Sequence, residues 1–231
     1  MAGSVVIVGG SSGLGKEIAR HYADAGREVV LTSRDSGRAE AAAAEIGGTT
    51  RGLALDLSKP EDIRAGLADL GSVQYLVVAG VERDVNSVRE YNLEGARKLA
   101  VIKVVGYTEV VHTLLDRFTD DASVVLFGGL AKDRPYPGST TVTTVNGAVT
   151  TMINALATEL APIRFNAIHP GIVGDSPYWV DKKAALDATL SRTPTKRLVA
   201  TADIVDAVLF LLENPSVNDV NLRVDGGTLL M

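Results

Sequence analysis

Residues 4–19 read Ser4-Val5-Val6-Ile7-Val8-Gly9-Gly10-Ser11-Ser12-Gly13-Leu14-Gly15-Lys16-Glu17-Ile18-Ala19. A β-branched run ends in glycines at 9, 13 and 15 and then turns helical. The order is a buried strand, a tight turn and a helix N-terminus. A dinucleotide pyrophosphate needs that arrangement: bare backbone for close approach, and free N–H groups aimed at the phosphates. The spacing is G-x-x-x-G-x-G rather than the commoner G-x-G-x-x-G.

Outward from this stretch the same alternation repeats. Short apolar runs at 4–8, 28–32, 51–55, 73–78, 123–127, 163–168 and 220–224 read as strands. Amphipathic stretches at 14–25, 36–46, 60–69, 88–118, 140–161, 179–191 and 202–213 read as helices. The strand runs are continuously apolar, as burial on both faces requires. Regular β-α alternation predicts a doubly wound, Rossmann-type α/β fold: a parallel sheet of about seven strands with helices on both faces. One domain over 1–231 is expected, since no linker, repeat or low-complexity tract interrupts the chain. Asp35 or Ser36 is placed to cap the second helix. Ser58-Lys59-Pro60-Glu61 reads as a cap followed by an early proline and acid.

Composition narrows the function classes. Of 231 residues, 46% are hydrophobic and 22% charged, and the net charge is −5, which argues against nucleic acid as a partner. There is no cysteine, so a thiol nucleophile, a disulfide and a cysteine-ligated metal are excluded. His21, His112 and His169 have no ligand spacing, so no metal is expected. No apolar run approaches the roughly 20 residues of a membrane span. The N-terminus has no basic segment of the signal-peptide kind. A cytoplasmic protein is expected.

Further motifs follow in order. Val29-Val30-Leu31-Thr32-Ser33-Arg34 is the second strand, running into an arginine about 20 residues past the turn, where an acid would bind a ribose 2′-hydroxyl and an arginine pairs with a 2′-phosphate. Then come Ala54-Leu55-Asp56-Leu57, Val77-Val78-Ala79-Gly80, Asn166-Ala167-Ile168-His169-Pro170-Gly171 and Val224-Asp225-Gly226-Gly227. On these motifs, from residue 9 to residue 227, the chain resembles the short-chain dehydrogenase/reductase family. The resemblance implies NADP(H) as cofactor. It implies a pyrophosphate site at Gly9, Ser11, Ser12, Gly13, Leu14 and Gly15, and a 2′-phosphate site at Ser33 and Arg34. Asp56 and Leu57 would meet the adenine; Ala79, Gly80 and Val81 the ribose; Pro170, Gly171 and Val173 the nicotinamide carboxamide.

The same resemblance implies a Tyr-x-x-x-Lys pair on the helix of residues 140–161, a serine upstream of it and an asparagine on the preceding long helix. The tyrosine donates a proton to the carbonyl, and the lysine lowers its pKa and holds the ribose. Anchored on Leu156-Ala157-Thr158-Glu159-Leu160, the tyrosine position falls on Val142 and the lysine position on Asn146. The serine position falls on Gly128 or Gly129, and the asparagine position on Lys103. A lysine and an asparagine survive, exchanged. Lys103 is either a group that reaches the ribose or a water, or a solvated or interface lysine. Tyr136 is a replacement donor or a loop tyrosine between two prolines. His169 stands near the nicotinamide or points into the sheet. Gly174–Trp179 is a candidate substrate lid.

The expected function is therefore an NADP(H)-dependent oxidoreductase with an atypical site, built on Lys103, Asn146 and Tyr136. It would reduce a carbonyl or related polarised double bond of a small molecule. The alternatives are a non-catalytic NADP(H)-binding protein, and a lyase or isomerase that keeps the cofactor site as scaffold. Apolar residues on more than one face of 88–118 (Val101, Val104, Val105, Val110, Val111) and 140–161 (Val145, Val149, Met152, Ile153, Leu156) suggest a homodimer or homotetramer.

Overall fold

In a computed structural model describing residues 3–82 and 84–230, seven strands form one parallel sheet in the order β3-β2-β1-β4-β5-β6-β7. The strands are β1 (Ser4–Val8), β2 (Val29–Ser33), β3 (Thr50–Ala54), β4 (Val73–Val78), β5 (Phe118–Phe127), β6 (Arg164–Pro170) and β7 (Asn221–Val224). The helices are α1 (Gly13–Asp24), α2 (Ser36–Ile46), α3 (Pro60–Gly66), α4 (Leu93–Ala100), α5 (Tyr107–Leu114), α6 (Thr140–Glu159), α7 (Lys183–Arg192) and α8 (Thr201–Glu213).

Alternation along the strands divides the core between two faces. Val6, Val8, Leu76, Val78, Val124 and Leu126 pack with Tyr107, Val110, Leu114, Val149 and Ile153 from α5 and α6. Val5, Ile7, Val125 and Phe127 pack with Ile18, Tyr22, Ala39, Ile204 and Val208 from α1, α2 and α8. β1 and β2 are buried along their whole length, covered on both faces, which is why their sequences are mostly apolar, whereas the edge strands β3 and β7 are only partly buried and carry polar residues. Strand order reverses between β1 and β4, so the crevice at the carboxyl ends of these strands is where such a sheet binds ligands.

Three local readings need correction. The expected helix over 88–118 is broken. The buried Asn86 accepts from Asn92 N (2.9 Å) and donates to Asn92 O (2.8 Å), holding the approach to α4 outside helical geometry. Asn92 then caps α4 by accepting from Gly95 N at 3.0 Å. A π-helical turn, Val101–Gly106, separates α4 from α5. Ser58 does not cap α3; Lys59 occupies that place, and the Ser58 hydroxyl donates to Asp56 instead (2.7 Å). The apolar residues expected on a second helix face mostly belong to the core: Val110, Val111, Val145, Val149, Ile153 and Leu156 are all buried. Val104 and Val105 remain exposed, because the helix turns them away from the sheet.

Candidate active site

The glycine turn closes over the end of β1. Gly13 has φ +54°, a left-handed backbone, with nothing within 4 Å of where its side chain would stand. Gly15 lies so close to the Gly9 carbonyl that any side chain would collide with it. Ser12 precedes α1 with extended backbone and its side chain makes no capping bond, so the hydroxyl and the first-turn N–H groups of α1 are available together. Gly10 N donates to Thr32 O (3.1 Å) and Ala79 N to Val8 O (2.9 Å), tying the turn to β2 and to the end of β4. A β-carbon on Gly9 would come within 2.8 Å of Gly80 N, so these backbones meet directly. The open volume at Gly13 and the unused donors around it fit a pyrophosphate.

At the end of β2, Asp35 caps α2 by accepting from Arg38 N (2.7 Å), which leaves Arg34 as the outward-facing charge. Ser33 Oγ accepts from Asp35 N at 3.5 Å. The Arg34 guanidinium pairs with Glu82 (3.2 Å), and Glu82 also holds Lys98 of α4 (2.7 Å). Burial tends to raise the pKa of Asp56, but two hydrogen bonds from Ser58 and the charges of Arg34 and Lys59 bring it below the usual range. Asp56 is thus held ionised, as an acceptor for an amino group. Leu57 is buried beside it, and its side chain lies against Gly80.

Lys103 is 2% exposed and lies in the π-helical turn. Its Nζ donates to Tyr107 Oη (2.9 Å) and to the Phe127 carbonyl. Tyr107 is fully buried and donates to the Gly80 carbonyl at 3.0 Å. Lys103 therefore neither reaches solvent nor lies at an interface between exposed faces; it sits beneath the carboxyl ends of β4 and β5. Burial lowers its pKa to about 7 and raises that of Tyr107. Tyr107 escaped the sequence reading, although Lys103 and Tyr107 are spaced i, i+4, the spacing that places two side chains on one helix face.

Asn146 of α6 is 5% exposed, and its side chain makes no hydrogen bond among the described residues. Its amide nitrogen lies 2.7 Å from where a β-carbon on Gly129 would be. Val142, one turn earlier, is partly buried. A side chain on Gly128 would run into the His169 imidazole. That ring accepts from Gly129 N at Nδ1 (3.1 Å) and contacts Asn221 Oδ1 through Nε2 (2.9 Å). Both ring nitrogens are engaged, which assigns the proton to Nε2. Burial is the main reason its pKa falls to about 4. His169 is thus fully buried and neutral, and the reading that puts it beside the nicotinamide as a donor is withdrawn. Tyr136 is 53% exposed; its backbone N and O both bond Ser139 Oγ (2.9 and 2.7 Å), and no contact joins its ring to Lys103 or Asn146. The structure brings Lys103, Phe127, Gly129 and Asn146 to one place at the end of β5, and leaves Tyr136 outside it.

Pro170 ends β6, and Gly171 N donates to Val224 O (2.9 Å). Val173 is buried, with its carbonyl accepting from Ser176. Beyond it, Tyr178 and Trp179 meet edge to face, and the Lys182 ammonium lies 3.0 Å from the Tyr178 ring centre. Among the described residues no cluster of three or more metal-ligating side chains occurs, and no helix is long and apolar enough to cross a membrane.

A doubly wound parallel sheet with a glycine cradle at its switch point defines a Rossmann-type dinucleotide-binding protein. Residues 8–228 match the family model described as enoyl-(acyl carrier protein) reductase. Carbonyl reductase family member 4 of Xenopus tropicalis is 30% identical, with 97% of each chain covered. A solved structure titled as a putative betaketoacyl-ACP reductase is 28% identical, with a TM-score of 0.89 over 100% of this chain and 99% of that one. Another, a small-chain dehydrogenase in complex with NADPH, is 25% identical, with a TM-score of 0.83 over the whole of both chains. The chain belongs to the short-chain dehydrogenase/reductase family and is an oxidoreductase of that family by descent.

Proposed function

We propose that this chain is an NADP(H)-dependent reductase acting on a carbonyl or related polarised double bond, through a site without the family's usual serine, tyrosine and lysine. The observation that carries this reading is the contrast between the two halves of the crevice. The glycine cradle, Arg34 and Asp56 are arranged for a dinucleotide, while α6 brings a buried, unbonded Asn146 to the end of β5 with Val142, a residue that cannot donate a proton, one turn before it. Bound there, the cofactor supplies the hydride.

The chain's own groups do the rest. Backbone N–H groups of Gly13, Leu14 and Gly15, with the Ser11 and Ser12 hydroxyls, hold the pyrophosphate. Arg34, helped by Ser33, takes the 2′-phosphate. Asp56 accepts from the adenine amino group beside Leu57, and the backbone of Ala79, Gly80 and Val81 meets the ribose. Pro170, Gly171 and Val173 line the carboxamide. Asn146 can donate one hydrogen bond and accept another, so it suits a ribose hydroxyl or a substrate carbonyl. Lys103 donates from Nζ to the Phe127 carbonyl and to Tyr107, and Tyr107 in turn donates to the Gly80 carbonyl. With no strong acid beside the reacting carbon, an iminium or an activated enone suits the site better than a simple ketone.

NADPH is expected to bind at least ~10-fold more tightly than NADH, because a charge-assisted pair with the 2′-phosphate is worth about 1.5–3 kcal/mol. Titration of protein fluorescence with each cofactor reads the ratio. Equal affinities, or a preference untouched by Arg34→Ala, would refute the NADP assignment. Binding without any NADPH oxidation across a panel of activated carbonyls and iminium ions would favour a non-catalytic role instead. That second reading draws on the same feature, the absence of a tyrosine acid on α6. We further propose that copies of the chain associate through the exposed Val104 and Val105 near α4. Light scattering is expected to give a dimer or tetramer, and a monomer in dilute solution would contradict it.

A further inference from the structure

The rim of the crevice carries a charge arrangement that the cofactor assignment alone does not require. Arg34 leaves the end of β2, and Glu82 follows the end of β4. These two strands flank β1, and the glycine turn rises between them. An ion pair from Arg34 to Glu82 therefore reaches from one side of that turn to the other, over the ground an adenosine must occupy. The Glu82 carboxylate is itself anchored: one oxygen meets Arg34 Nη1 at 3.2 Å and the other Lys98 Nζ at 2.7 Å. Arg34 and Lys98 are on separate elements, and Glu82 is the only acid bonded to either of them among the described residues.

We infer that Glu82 stands in for the 2′-phosphate of the cofactor, competing with it for Arg34 and thereby setting how strongly the chain prefers NADP(H) over NAD(H). The inference rests on the NADP(H) reading above and deepens it. A carboxylate and a phosphate monoester present the same kind of oxygen to a guanidinium, and both are anionic near neutrality. They cannot share Arg34 at close range without like-charge repulsion. When the phosphate arrives, Glu82 must swing away, and the neighbouring Lys98 gives it somewhere to remain paired. NADH brings no phosphate and leaves the Arg34–Glu82 pair without an anionic competitor. Because Arg34 and Lys98 are exposed and Glu82 is still 34% exposed, the pair is weak and exchangeable, as a competing internal anion has to be.

The test uses the full chain and three probes: NADPH, NADH, and 2′,5′-ADP, which carries the phosphate without the nicotinamide. Calorimetric titration is run on wild type, Glu82→Gln and Arg34→Ala. Glu82→Gln keeps the shape and removes the charge at a partly exposed surface position, so folding is not at issue. The expected result is that Glu82→Gln tightens NADPH and 2′,5′-ADP about 3- to 5-fold and leaves NADH within ~1.5-fold. Adding Arg34→Ala should abolish that gain. The inference is overturned if Glu82→Gln leaves NADPH unchanged or weakens it, or if all three probes tighten equally, which would mark a steric gate. The cofactor reading fails separately: a wild type that does not prefer NADPH sinks it, whatever Glu82→Gln does to the ratio.

Discussion

Placing tyrosine at 142 and lysine at 146 together is expected to raise NADPH-dependent reduction of simple ketones by roughly 10²-fold or more over wild type, whose rate should lie about 10²–10⁴-fold below that of a site with a well-placed acid. Val142 and Asn146 are one turn apart on α6, so both side chains leave the helix on one side. Glycine at 129 leaves the room that Asn146 now uses, which a lysine stem can follow. Val142→Tyr alone is expected to gain little, because a tyrosine without its lysine keeps a pKa near 10. Adding Gly128→Ser to the pair should reduce expression or stability, since its side chain would be driven into His169, whose ring is held by Gly129 N and Asn221. Steady-state kinetics on the single, double and triple variants separates these outcomes. A wild type that already reduces simple ketones at ordinary rates would overturn the proposed site.

Lys103→Met is expected to abolish a rise in folding stability that wild type shows on going from pH 7 to 9. The folded pKa of Lys103 is about 7, against about 10.5 for a free lysine. Below pH 7 the ammonium is charged in both states, and folding bears the full cost of burying it. Between the two values the unfolded chain binds a proton that the folded chain has lost. Unfolding then takes up a proton, and stability climbs with pH at up to about 1.4 kcal/mol per pH unit, or roughly 2–3 kcal/mol over this window. The other strongly shifted groups do not interfere there. His169, lowered to about 4, changes stability only in acid, where it likewise adds stability as the pH rises toward its ordinary value. Tyr107 and Tyr22, both raised, cost stability only above about pH 10, where the unfolded chain alone ionises. Methionine fills much the same volume but removes the Phe127 carbonyl's donor, because the single Tyr107 proton is directed to the Gly80 carbonyl; that loss lowers stability equally at each pH and leaves the slope as the readout. Urea unfolding at pH 7, 8 and 9 reads the slope; parallel slopes in wild type and variant would refute a depressed lysine.

The cofactor half of the crevice could be read from the chain because its requirements are local. A glycine with positive φ at 13, a close backbone contact at 15 and an arginine ending β2 are each set within a few residues, and strand periodicity supplied the sheet that holds them. Helix boundaries were less accessible. The break before α4 depends on Asn86 clamping the backbone of Asn92, and the π-helical turn ends at Gly106, where the Leu57 carbonyl from a distant segment leaves no room for a side chain.

The substrate half was decided by contacts between residues far apart in sequence. Burial of Lys103 beside Tyr107, bonded to the Phe127 carbonyl of β5 and through Tyr107 to the Gly80 carbonyl just past β4, exists only once both strands are in register. The glycines at 128 and 129 stood out from sequence as vacancies; the fold fills one with His169 and the other with Asn146. The ion pair between Arg34 and Glu82 spans 48 positions and forms because β2 and β4 both flank β1. Local backbone geometry and burial periodicity are written in the order of residues. Desolvation and charge pairing depend on which groups the sheet brings together, and only the tertiary structure decides that.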